Sequence, residues 1–193
     1  MPEIILREED HKYFVDGRPM PGVNEILAGM GYQSVDFVPE VALHRGRYGH
    51  KTTELWDLGK LVVKSVRPDY LGYLEAWIKF REDTGFDPYH IEMKVYCPFP
   101  APYCGQIDRI GWLRGGRCLL DIKTGKIGRC FPLKMVAYMK ALPEGEPKPD
   151  SIASVVINKD GTYLLQMWTI GPREYALWEN IACAWWGRGE YSE

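Results

Sequence analysis

Three carboxylates and one ammonium stand out in the middle of the chain because their neighbours are apolar. The stretch GQIDRIGWLRGGRCLLDIKTGK, Gly105 to Lys126, is two apolar runs around a Gly-Gly pair, and each run carries an aspartate. Lys123 follows Asp121 by two residues. In an extended strand such residues share a face, so Asp121 and Lys123 project together while Leu120 and Ile122 face the core. A turn at Gly115-Gly116 sets Asp108 across from or diagonal to Asp121. Glu92 lies on the alternating stretch HIEMKVYCP just upstream, the preceding strand. Three adjacent strands thus bring Glu92, Asp108, Asp121 and Lys123 to one patch.

A carboxylate without a partner is costly between apolar neighbours in a central strand, and here the carboxylates outnumber the ammonium. A hard divalent cation, Mg2+ or Mn2+, resolves the excess because it takes oxygen ligands and keeps some of its waters. Such an ion activates a water and polarises a phosphoryl oxygen. Lys123 would then position that water or stabilise the developing negative charge. The competing reading is a solvated sheet face crossed by a salt bridge.

The elements that must hold this patch follow from periodicity. HKYFVDGRPM reads as a hairpin turning at Asp16-Gly17, and GVNEILAGMG as a short helix stopped by glycine. A longer helix is expected from about Pro39 to Val66, broken near Gly46 or Gly49, with Pro68 beyond its end. DYLGYLEAWIKFREDTG places Leu71, Leu74, Trp77 and Ile78 at helical spacing before Gly85. Three strands follow, then the helix PLKMVAYMKAL, a hairpin across Lys159-Asp160-Gly161, and a last helix opening at Pro172. Trp178, Trp185 and Trp186 of that helix are expected in the core. The order predicts an α/β, mixed α+β fold with a central mixed sheet flanked by helices. The 193 residues are expected to form one domain, residues 1–193, with an N-terminal hairpin and a helical extension.

A net charge of -2 advertises no nucleic-acid partner at the level of the whole molecule, so such a contact must be local. The first residues carry no basic and apolar leader pattern, and no apolar run reaches membrane-spanning length. The five cysteines, Cys97, Cys104, Cys118, Cys130 and Cys183, include no C-x-x-C pair. Reduced, buried thiols in a cytosolic compartment are expected, and their spacing disfavours a metal cluster.

With these residues in place, GQIDRIG, LLDIKTGK and the following helical tyrosine resemble the PD-(D/E)xK nuclease superfamily. The branch is the RecB-like exonucleases, which includes phage exonucleases and the mitochondrial genome maintenance exonuclease. The upstream GRYGHKTTE, with His50 and Glu54, is similar to that branch's helix histidine motif, and the hairpin followed by PGVNEIL to the opening of its phage members. The resemblance spans most of the chain and implies a restriction-endonuclease-like core. It implies Asp108, Asp121, the Ile122 carbonyl and His50 as ligands of Mg2+ or Mn2+, with Lys123 the catalytic lysine. Glu92 would have a catalytic, second-metal or outer-sphere role. It also implies a DNA substrate with free ends or single strands, contacted through Thr124 and Tyr138, and a phage or prophage enzyme in a bacterial cytoplasm. A recombination or replication protein is the further partner that the resemblance implies.

One position departs. Where the branch carries glutamine, four residues before Tyr138, this chain has Lys134, which donates hydrogen bonds but accepts none. Lys134 is therefore expected to contact a substrate phosphate. Arg45, Arg47 and Lys51, beside His50, form either a phosphate track or a solvated basic face. Asp121→Asn is expected to abolish cleavage and, without metal, to relieve repulsion between carboxylates. A DNA-binding module without catalysis and a structure-specific endonuclease are the alternatives.

Overall fold

A computed structural model describes residues 2–7, 9–33 and 39–188. Three short strands, β1 (Ile4–Arg7), β2 (Lys12–Val15) and β3 (Arg18–Met20), form an antiparallel meander. Asp16 and Gly17, at φ of 47° and 77°, make the expected tight turn between β2 and β3. Helices α1 (Val23–Gly29), α2 (Glu40–Asp57) and α3 (Pro68–Thr84) come next. The remaining chain runs β4 (Asp87–Cys97), β5 (Tyr103–Leu113), β6 (Gly116–Lys123), α4 (Phe131–Ala141), β7 (Ser151–Ile157), β8 (Tyr163–Trp168) and α5 (Pro172–Gly187).

The five-stranded sheet has the order β4-β5-β6-β7-β8, so β6 is its middle strand. Every pairing is antiparallel except β6 with β7. A parallel pair needs a crossover, and α4 provides it. The fold is the mixed α/β class expected, a mixed sheet with helices on it. Both faces of β6 are covered. Leu119 packs in a core with Ile26 of α1, Val136 of α4 and Trp178 of α5. Leu120 and Ile122 pack in the opposite core, with Trp77 and Phe80 of α3. This double burial is why β6 reads as an apolar run.

Two expectations change. Helix α2 is continuous through Gly46 and Gly49 but stops at Asp57, not Val66, where the chain turns at Leu58 and Gly59; Val63–Ser65 is a single 3-10 turn. In α5, Trp178 is buried and Trp185 packs on the core, but Trp186 is 43% exposed. Seven residues bring Trp185 back to the face of Trp178, and the eighth turns away. The Trp186 indole N–H donates to the Pro102 carbonyl at 2.9 Å.

All five cysteines are unpaired; Cys97, Cys104 and Cys118 are buried as expected, whereas Cys130 is half-buried and Cys183, turned outward on α5, is exposed. Burial pushes the Cys104 thiol up to about 12 and that of Cys118 to about 11, as expected of inert thiols. No helix among the described residues is long and apolar enough to cross a membrane.

Candidate metal and nucleic-acid site

The two central strands part at the aspartates. The ladder between β5 and β6 runs from Leu113–Gly116 to Arg109–Leu120 and goes no further. Beyond it the Ile122 N–H donates to the carboxylate of Asp108 at 2.7 Å, so a side chain takes the place of a main-chain acceptor. In a paired strand a residue's N–H and C=O face the same neighbour, which aims the Ile122 carbonyl at this gap as well. Ile107 and Ile110 pack in one core although they are three apart, so β5 is irregular between them. Asp108 and Arg109 occupy that irregularity.

Glu92 reaches the gap from β4 by a second irregularity. Its φ is 51°, in the left-handed region, between the pairs Ile91–Arg109 and Met93–Ile107. A non-glycine residue there is uncommon and costs roughly 1 kcal/mol or more, which the surroundings must offset. They do so at the carboxylate, which accepts from Gln106 Nε2 at 2.6 Å and from Arg109 Nη1 at 2.9 Å. His50 comes from α2, its Nδ1 3.6 Å from Asp108 Oδ2. Among the described residues, His50, Glu92 and Asp108 offer ligand atoms that all lie within 4.8 Å of one another.

Asp121 belongs to a different arrangement. Its side chain is 2% exposed, with Lys123 Nζ 2.7 Å from Oδ2 and Lys134 Nζ 2.8 Å from Oδ1. The Lys134 contact is a hydrogen bond, whereas the Lys123 contact lies off hydrogen-bond alignment and leaves Oδ2 without a bonded donor. Burial alone would raise the Asp121 pKa, but the two ammonium groups outweigh it and hold the carboxyl well below the usual range. Burial likewise opposes the charge on Lys134, yet Asp121 above all keeps its pKa well above the ordinary lysine value. Glu92 shifts the other way: burial first, then the charge of Asp108, raises its pKa, against His50, Gln106 and Arg109.

Two glycines allow these approaches. A Cβ at Gly105 would stand 2.4 Å from the Tyr138 ring, so only glycine lets α4 lie this close to β5. A Cβ at Gly49 would stand 2.7 Å from the Thr124 methyl, where α2 crosses the end of β6. Thr124 and Tyr138 thus serve here as packing contacts. Tyr138 is buried, which pushes its hydroxyl up to about 12, and its ring carries the Lys134 ammonium 5.3 Å from its centroid. Lys134, expected at a phosphate, is turned onto Asp121 with 14% of its side chain exposed. Lys51 pairs with Glu54 at 2.9 Å, while Arg45 is half-buried beside Gly125 and Arg47 is exposed. Glu54, one turn on from His50 in the same motif, is the residue that holds Lys51.

Sequence reading missed the centre of this network, Arg109. Its side chain is fully buried. It donates to Asp57 at 2.7 Å, to Glu92 at 2.9 Å, to the Asp108 carbonyl at 2.5 Å and to the Thr53 hydroxyl at 3.2 Å. Asp57 also accepts from the Trp77 indole at 2.9 Å and from Arg81 at 2.8 Å. One guanidinium thereby ties α2, β4 and β5 together directly behind the acidic cluster. The available signal was an arginine between Ile107 and Ile110 in a strand read as central, a position where an unpaired charge is not tolerated.

No protein-family model matches the chain, and no curated protein matches it. Among solved structures, the crystal structure of SSO0001 is 14% identical, with 84% of each chain covered and a TM-score of 0.40.

Proposed function

We propose that the protein is a divalent-metal-dependent deoxyribonuclease of the PD-(D/E)xK type, shortening DNA from its ends. The observation that carries the reading is the convergence of His50, Glu92 and Asp108 within 4.8 Å, next to the Asp121–Lys123 pair. The donor set fits a hard ion: two carboxylates, one imidazole and a main-chain carbonyl aimed at the same gap. His50, Glu92 and Asp108 would hold Mg2+ or Mn2+, which when bound lowers the pKa of a water and polarises the scissile phosphate.

The chain's own groups do the rest. Asp121 fixes Lys123, whose ammonium stabilises negative charge developing on the phosphoryl oxygens. Arg109 holds the Glu92 carboxylate in place. Arg45 and Arg47, on the helix that carries His50, lead the DNA backbone toward the cluster. The setting is the cytoplasm of a bacterial host, in phage or prophage recombination or repair. End-labelled linear DNA should be shortened in Mg2+ or Mn2+ and closed circles should survive. Rapid cutting of circles would favour an endonuclease, and tight binding without cleavage in either metal would leave only a DNA-binding module.

A further inference from the structure

Glu92, Asp108, Asp121 and the Asp57 behind them face Arg109, Lys123, Lys134 and Arg81, so acids and bases balance before any metal binds. One divalent ion then leaves a double positive charge, suited to a phosphodiester and its developing charge. A second ion would leave twice that in a partly buried pocket, where charges are screened little. The geometry agrees with the count. Of the three carboxylates, Asp121 is the one outside the His50, Glu92 and Asp108 group, and each of its oxygens has an ammonium at ion-pair distance, Lys123 at 2.7 Å and Lys134 at 2.8 Å. Lys134 is set there firmly: α4 delivers it, the Tyr138 ring lies beneath its ammonium, and only 14% of its side chain meets solvent.

On the metal-dependent reading above, we infer that the Lys134 ammonium fills the place of a second cation, so the site takes one divalent ion, at His50, Glu92 and Asp108. Lys134 is thus a positioning residue and a tethered counter-ion, and it sets metal stoichiometry before DNA arrives. A divalent ion on Asp121 would have to displace it, against both the ion pair and like-charge repulsion.

The test is equilibrium dialysis against Mn2+ without DNA, counting bound metal per chain. Wild type should bind one equivalent. Lys134→Met, of similar length but uncharged, should bind a second, weaker one, and Lys134→Arg should return to one. If Lys134→Met lacks a cooperative melt, Lys134→Gln is dialysed in its place, with two equivalents expected. Two equivalents on wild type, or one on the folded uncharged variant, overturn the inference and leave the metal-dependent reading standing. No bound Mn2+ on wild type overturns both.

Discussion

The carboxylate of Asp57, in the last turn of α2, meets the Arg109 guanidinium of β5 at 2.7 Å, and neither side chain is exposed to solvent. The pair spans 52 residues of sequence. It fastens the helix that carries His50 to the strand that carries Asp108. Breaking a buried pair strands the surviving charge, a loss of about 3–5 kcal/mol. Arg109→Met should show a loss of that size in urea denaturation, since Asp57 keeps Arg81 but Glu92 loses its guanidinium. A loss below about 1 kcal/mol would show that the pair holds nothing together.

Asp121→Asn is now expected to destabilise the metal-free protein, the reverse of the relief anticipated from carboxylate repulsion alone. The structure places two ammonium groups on Asp121, so removing its charge leaves Lys123 and Lys134 facing each other. The loss should be about 3 kcal/mol at neutral pH. The pH dependence follows from the lowered carboxyl. A folded-state pKa below the unfolded 3.8 stabilises above that value and loses the contribution as pH falls toward the folded one. The gap between wild type and Asp121→Asn should therefore shrink by up to about 1.4 kcal/mol per pH unit below about pH 4. A gap that stays constant from pH 7 to pH 3 would contradict the ion-pair account. Glu92 acts in the opposite sense, because its raised folded pKa costs stability at neutral pH and that cost fades on acidification.

Lys123→Ala tests the proposed assignment of Lys123 to chemistry and not to binding. Lys123 touches Asp121 and has 26% of its side chain exposed, so its loss leaves the core intact. Turnover on linear DNA in Mg2+ should fall by about 100-fold or more, while affinity for DNA measured in Ca2+ should change by less than about threefold. A large loss of affinity with little loss of turnover would move Lys123 from catalysis to substrate binding.

Gly105→Ala tests the approach of α4. The added methyl would sit 2.4 Å from the Tyr138 ring, so either the ring or the helix must shift. Overpacking of this kind costs about 1–3 kcal/mol. Because Lys134 is on the same helix, metal-free crystals of the variant should also show its ammonium moved from Asp121. An unchanged melting temperature would mean that the helix yields freely.

The sequence was most legible where local periodicity decides the outcome. Alternation in β6 marked Asp121 and Lys123 as neighbours against Leu120 and Ile122. Leucine and tryptophan spacing marked α3, which runs Pro68–Thr84 and ends at Gly85. The strands of this hairpin lie where the apolar runs put them, although the turn is Arg114–Gly115, one residue before the Gly115-Gly116 expected, and Gly116 already pairs with Leu113. Less legible were features set by partners far away in the chain. Lys134 looked like a surface cation because the loop between β6 and α4 hides that it returns to Asp121, 13 residues back. Arg109 looked incidental because its acid partners lie on α2 and β4. The left-handed backbone at Glu92 carries no glycine or asparagine signal, since contacts of its side chain hold it there.

The unequal mounting of the cluster has a kinetic consequence. Asp121 and Lys123 sit on the middle strand, paired to β7 on one side and packed in cores on both faces. His50 rides instead on a helix that buries only Gly49, Thr52 and Thr53 besides the Asp57 carboxylate in its last turn. Amide exchange should therefore be slowest in β6, near the global unfolding rate, and faster along α2 through partial opening. Each such opening carries His50 away from Asp108 while the strands stay folded, so α2 detachment would set how quickly the nest admits or releases what it holds.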